Sequence, residues 1–130
     1  AVDAGLAEES IILDPGPDFA KTAFQTVEVL RSFERIVALG RPVLLALSRK
    51  DFIGALTDSR PRDRLAGTLA AFGAVCHHPG LIFRVHDVAQ VRDYLVVADA
   101  LAGRRDVDRL LELDPSLKWQ QSPATAPPGG

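Results

Sequence analysis

Three short apolar runs each end in a cluster of charged or polar residues. They are Ile11-Ile12-Leu13 before Asp14, Val43-Leu44-Leu45-Ala46-Leu47 before Ser48-Arg49-Lys50, and Leu81-Ile82-Phe83 before Arg84-Val85-His86-Asp87. Runs of that length, bounded by turn signals, read as strands of a parallel sheet buried on both faces. Between them the period changes. From Thr22 to Leu39, Phe24, Val27, Leu30, Ile36 and Val37 recur at helical spacing, and Gly40 stands where a C-terminal cap belongs. Arg41-Pro42 restarts the chain as a strand, because proline disfavours helix in the residue before it. Phe52 to Leu56 reads as a short apolar turn, and Thr57 to Arg60 with Pro61 as a polar loop. An alanine-rich helix is predicted from about Asp63 to His77, stopped by Pro79-Gly80. Another is predicted from Val88 to Leu101, carried by Val91, Leu95, Val96 and Ala98 and ended at Gly103. Strand then helix recurs three times at roughly the length of a βαβ unit. The fold class is therefore α/β, a parallel sheet with helices outside, and all three polar clusters fall on the rim at the strands' carboxyl ends.

These units are expected to fill residues 1–103. Residues 104–121 carry Val107, Leu110, Leu111 and Leu113 at a spacing that predicts a short helix, and 122–130 have the composition of a disordered tail. The sequence contains no methionine, and its N-terminus, Ala1-Val2-Asp3-Ala4-Gly5, lacks the basic and apolar regions of a signal peptide. It is expected to be cut from something longer.

A hydrophobic fraction of 47% with 25% charged residues is that of a soluble globular domain rather than a disordered chain. The net charge of −2 gives no global attraction to nucleic acid or to an anionic membrane, so any anion must be held by local placement of charge. No apolar segment reaches the roughly 18–20 residues needed to cross a bilayer. Cys76 is the single cysteine, which excludes an intrachain disulfide and fits a reducing cytosol. Its neighbours His77 and His78 match no zinc spacing, and no metal-ligating set is assigned to the chain.

Each polar cluster carries a possible chemistry beside a plainer one. Asp14 at a strand end offers two parallel acceptors to the amidine-like edge of a heterocycle, or it caps a tight turn through Pro15-Gly16. Arg49 and Lys50 side by side ask for an anion or a carboxylate, or belong to a solvated rim. Period-two alternation puts Arg84 and His86 on one face of their strand, where together they suit a pyrophosphate. The plain reading there is that Asp87 pairs with Arg84 or His86 and ties down a loop. The run Arg60-Pro61-Arg62-Asp63-Arg64 reads as a solvated loop and helix start. His77 and His78 read as a helix end, and Tyr94 and Trp119 as packing residues.

At these residues the sequence resembles the C-terminal part of the dihydropteroate synthase family, over about Ser10 to Gly103. The resemblance rests on three motifs in order and spacing. These are Asp14-Pro15-Gly16 with Phe19 and Lys21-Thr22, Ser48-Arg49-Lys50 with Phe52-Ile53-Gly54, and Arg84-Val85-His86-Asp87-Val88. Asp63-Arg64-Leu65-Ala66-Gly67-Thr68 also fits. It implies about three βα units from the C-terminal part of a TIM (β/α)8 barrel, the three runs being its sixth to eighth strands. It further implies a transferase of folate biosynthesis that joins p-aminobenzoate to a dihydropterin pyrophosphate and releases pyrophosphate. Such an enzyme would be cytoplasmic and, in full-length form, a homodimer, using Mg2+ whose ligands lie outside this chain. By the same resemblance Asp14, Lys50 and Arg84 would bind the pterin, and Phe19, Lys50 and Asp51 would line the p-aminobenzoate pocket. Arg84 and His86 would hold pyrophosphate. Lys50, Arg84 and His86 would carry catalysis by positioning and charge stabilisation, with no nucleophilic side chain.

Two departures from the family pattern bear on activity. The loop after Gly16 reads Pro17-Asp18-Phe19-Ala20 where glycines are usual, and Asp51 follows Lys50 where serine is usual. An extra carboxylate there disfavours an anionic second substrate unless Lys50 or Arg49 neutralises it. A catalytically impaired pterin-binding paralogue or regulatory module is therefore the alternative, with a different phosphate-binding barrel enzyme as a third reading. A closed barrel needs about eight strands, so these three units alone are expected to be inactive.

Overall fold

The computed structural model describes residues 1–119; the expected 122–130 tail lies outside the described residues. Two parallel strands, β1 (Val43–Leu45) and β2 (Leu81–Phe83), pair in register with Leu44 opposite Ile82. The first apolar run contributes a single parallel bridge, Leu13 to Val43, closed by Leu13 N–H donating to Pro42 O and Leu44 N–H to Leu13 O. β1 is thus central, with Leu13 on one side and β2 on the other. β1 is shorter than the run Val43–Leu47 that predicts it, whereas β2 matches its run Leu81–Phe83.

The helices are α1 (Ala23–Arg31), α2 (Phe33–Val37), α3 (Asp51–Thr57), α4 (Leu65–Gly73) and α5 (Val88–Leu101). The single helix expected from Thr22 to Leu39 breaks at Ser32, whose backbone leaves the helical region at φ −101 and ψ 23. The break turns Phe33 into the core, while Phe24, expected on the buried face, is exposed. Gly40 takes the left-handed conformation (φ 71) that its capping place predicts. Phe52 to Leu56, expected as a turn, lies inside α3. The alanine-rich helix is confined to α4 and gives way to turns before His77, and α5 has the bounds that its periodicity predicts.

The core lies between sheet and helices. Val43, Leu45 and Leu47 from the central run meet Phe33, Phe52, Ile53, Phe72, Val75 and Val91. Phe72 packs edge-on against Phe83 with ring centroids 4.8 Å apart, joining α4 to β2. Small residues let the helices close: a Cβ at Gly67 would meet Ile53, and one at Gly73 the Tyr94 hydroxyl. The helix expected through Val107 to Leu113 does not form. Among the described residues only a single 3-10 turn (Pro115–Leu117) follows α5, and Leu110 and Leu111 are exposed. Nothing among the described residues buries those leucines, and the Asp108 carboxylate takes the Leu110 N–H in a local turn that competes with helix.

Candidate functional site

Chain ends from all three apolar runs meet at one rim, and two adjoining cavities open there. One, of about 270 Å³, is lined by Ala46, Ser48, Lys50, Arg84, Val85 and His86. The other, of about 380 Å³, is lined by Asp14, Gly16, Pro17, Phe19, Ala46, Lys50 and Arg84. Lys50 and Arg84 stand on both, so the cavities form one bilobed cleft with Asp14 and Phe19 at one end and His86 at the other. Ala46 lines both lobes, its side chain too short to fill them.

The first rim loop is built to present Asp14. Asp14 Oδ1 accepts the Gly16 N–H at 2.8 Å, closing the turn that its plainer reading expects, and the carboxylate remains exposed in its lobe. Lys21 latches the loop by donating to the carbonyls of Gly16 and Phe19. Asp18, an added charge when read from sequence, is spent on the frame. It accepts from the Thr26 hydroxyl at 3.1 Å and from the Phe52 N–H at 3.2 Å, which ties the loop to α1 and to the start of α3. Thr22 and Gln25 complete a capping box on α1.

Four cations gather where β1 and β2 end, and they divide into two kinds. Arg49 makes a two-pronged pair with Asp87, Nη2 to Oδ1 at 2.6 Å and Nε to Oδ2 at 3.0 Å. The pair's hydrogen bonds hold the Asp87 carboxyl below the usual carboxylate range and raise the Arg49 guanidinium above its own, against the opposing effect of burial. Arg64, whose side chain is only 10% exposed, donates to Arg49 O, to Ser59 O and to the Asp51 carboxylate at 2.7 Å. By contrast, Lys50 and Arg84 make no side-chain hydrogen bond or ion pair among the described residues. The two cations left free are the two that line both lobes.

This arrangement departs from the sequence reading at three points. Asp87 pairs with Arg49 rather than with Arg84 or His86. Asp51 is neutralised by Arg64 rather than by Lys50 or Arg49, and it lines neither lobe. Arg64, read as part of a solvated run, is buried. Sequence reasoning also missed Thr68, fully buried, whose hydroxyl accepts the Arg49 N–H at 3.0 Å and holds Arg49 in the left-handed region at φ 58. A non-glycine residue keeps that conformation only where its surroundings impose it. The sole sequence signal for these two was the fit of the Asp63–Thr68 stretch to the family pattern.

Asp14, Lys50, Arg84 and His86 therefore share one cleft, with Phe19 80% exposed at its edge. Two free cations, a histidine and a carboxylate suit a polyanion joined to a hydrogen-bonding heterocycle. They do not suit a resident cation: among the described residues no three His, Cys, Asp or Glu side chains converge to hold one. No helix among the described residues is long and apolar enough to cross a membrane.

Comparison with known proteins agrees with this geometry. The family model described as pterin binding enzyme matches residues 1–86. The dihydropteroate synthase of Bacillus subtilis is 43% identical over 107 residues, covering 82% of this chain and 38% of that protein. The inactive dihydropteroate synthase 2 of Mycobacterium tuberculosis is 39% identical over 109 residues, covering 84% and 34%. Among solved structures, the dihydropteroate synthase of Xanthomonas albilineans in complex with 7,8-dihydropteroate aligns with a TM-score of 0.73. It is 39% identical and covers 78% of this chain and 39% of that one. That of Thermus thermophilus in complex with 4-aminobenzoate gives 0.66 at 42% identity, covering 71% and 38%. The chain thus spans between a third and two fifths of the length of these relatives. With its strand–helix units matching part of their TIM barrel, the chain belongs to the pterin binding enzyme family, on the branch of the dihydropteroate synthases.

Proposed function

We propose that the cleft is the pterin- and pyrophosphate-holding part of a dihydropteroate synthase, which joins p-aminobenzoate to a dihydropterin pyrophosphate in folate biosynthesis. The observation that carries this reading is the pair of free cations, Lys50 and Arg84, bridging a lobe with Asp14 and a lobe with His86. Asp14 accepts hydrogen bonds from the pterin's amidine edge, and Lys50 and Arg84 hold the ring. Arg84 and His86 receive the pyrophosphate. The amine nitrogen of p-aminobenzoate forms a bond to the pterin methylene carbon as the carbon–oxygen bond to pyrophosphate breaks; the pyrophosphate leaves with the electron pair, and the nitrogen gives up one proton to water. Charge develops on the departing oxygen, so fixed cations aimed there lower the barrier without any covalent enzyme intermediate. Phe19 and Lys50 border the p-aminobenzoate side, with Asp51 at its margin, its charge offset by Arg64. Mg2+, implied by the family, has no ligand set among the described residues.

The second reading, a pterin-binding paralogue without turnover, is favoured by one observation. Asp51 is 89% exposed despite its pairing, beside a cleft meant for an anionic second substrate. The similarity to the mycobacterial inactive synthase points the same way. Assays on the protein that carries this chain separate the two. Dihydropteroate formation supports the first reading, and tight pterin pyrophosphate binding without product supports the second. Binding undetectable by calorimetry refutes both. We further propose a cytoplasmic location and, in the full-length protein, a homodimer formed through the last helices. The exposed Val97 and Leu101 of α5 support the dimer, which sedimentation of that protein tests.

A further inference from the structure

We infer that Ser48 is a positioning residue that holds neutral His86 as its Nε2–H tautomer, so that the imidazole offers a proton donor to an anion in the cleft. Ser48 is 6% exposed, and its hydroxyl oxygen lies 3.2 Å from the His86 backbone nitrogen and 3.0 Å from the ring Nδ1. Among the described residues it makes no other hydrogen bond. The oxygen already accepts the His86 N–H. If Nδ1 also carried a proton, both contacts would be donors to the same oxygen, and the hydroxyl's own proton would have no acceptor among the described residues and could turn only into the cavity. If Nδ1 is bare, the hydroxyl donates to it and every group is satisfied. The second arrangement places the hydroxyl's proton in a hydrogen bond to the ring and is the favoured one. A neutral ring with bare Nδ1 carries its proton on Nε2.

A second rung makes this assignment firm. Asp87, next to His86, would select the opposite tautomer if its carboxylate accepted from Nδ1. Both of its oxygens are instead taken by Arg49. The rungs Ser48–His86 and Arg49–Asp87 cross-link the ends of β1 and β2, and Thr68 and Arg64 hold Arg49 from behind. The charged groups facing His86 are Lys50 and Arg84 in the shared cavity, with Asp87 and its partner Arg49 alongside.

The inference rests on the proposed function only in naming pyrophosphate as the anion. The test uses the protein that carries this chain. Nitrogen-15 NMR of the histidine rings, assigned with His86→Gln, reads the tautomer at about pH 8, where an ordinary imidazole is neutral. The Nε2–H form is expected, and the Nδ1–H form overturns the inference whether or not any variant folds. Ser48→Ala is expected to give a mixture of tautomers and Ser48→Thr to restore the single form. Calorimetry with inorganic pyrophosphate should show Ser48→Ala weakening binding about 3- to 10-fold at about pH 8. A pyrophosphate affinity unchanged in Ser48→Ala overturns the inference. Absence of pyrophosphate binding by the unaltered protein refutes the functional reading instead, and the tautomer measurement still decides the role of Ser48.

Discussion

Replacing Gly54 by alanine sets two effects of opposite sign against each other. Gly54 lies inside α3, where alanine is favoured over glycine by about 1 kcal/mol. A Cβ at this position, however, would fall on the Arg64 guanidinium. An unrestrained arginine could swing aside at little cost, but this one donates to Ser59 O at 3.0 Å and to Arg49 O at 2.9 Å. Hydrogen bonds from a charged donor are worth roughly 1.5–3 kcal/mol each. They share one guanidinium, so about 3 kcal/mol is a better sum than 6. The Asp51 contact adds little, because that carboxylate is 89% exposed and such pairs contribute about 1 kcal/mol at most. The net expectation for Gly54→Ala is a loss of about 2 kcal/mol. Urea unfolding of the protein that carries this chain, followed by far-ultraviolet circular dichroism, measures it. Repeating the substitution in an Arg64→Met background removes the clash, and Gly54→Ala should then be neutral or stabilising by up to about 1 kcal/mol. A stabilising effect with Arg64 present, or the same loss in both backgrounds, refutes the reasoning.

Three further outcomes follow from the same contacts. Thr68→Val keeps the side chain's shape but removes the acceptor of the Arg49 N–H, and should lower the unfolding free energy by about 1–2 kcal/mol in denaturant titration. Lys50→Ala should weaken pterin pyrophosphate binding by about tenfold or more in calorimetry while leaving the unfolding free energy within about 0.5 kcal/mol, because the Lys50 side chain has no partner among the described residues. Asp87→Asn should show its deficit in one pH range only. Asp87 has a lowered folded pKa, so its contribution is fully present above the ordinary carboxylate value of 3.8 and is lost as pH falls through the folded value. Stability profiles of the two proteins should lie apart at neutral pH and converge in acid, and a gap that persists into acid contradicts the Arg49–Asp87 assignment.

What was legible in the sequence was what repeats along the chain. Apolar runs bounded by turn signals placed Asp14, Lys50, Arg84 and His86 at strand ends, and α5 kept its 3.6-residue period over a long stretch. What stayed illegible depends on partners far away in sequence. Arg64 sits in a run of charges that reads as solvated, and only the fold reveals two carbonyls waiting for it. α3 reads as a turn because it is short and contains Gly54. It is held as a helix by packing against α1 and by Asp18 reaching back to the Phe52 N–H. The run through Leu110 and Leu111 failed in the opposite sense: the period was present, but no surface among the described residues covers it.

The division of the four rim cations explains why one local fold can serve both functional readings. Arg49 and Arg64 are matched by carboxylates and carbonyls, so their charge is internally compensated and acts on geometry rather than on a ligand. Lys50 and Arg84 are uncompensated and act on whatever enters. A family member can therefore lose turnover through changes at the margin of the cleft, such as a carboxylate at position 51, while the frame and the free cations persist. Activity and pterin binding are then separable traits. If this partition is right, substitutions at Arg64, Thr68 and Asp87 reduce stability and ligand binding together, whereas substitutions at Lys50 and Arg84 reduce binding alone. A set of variants that mixed the two patterns would show that the rim is not divided in this way.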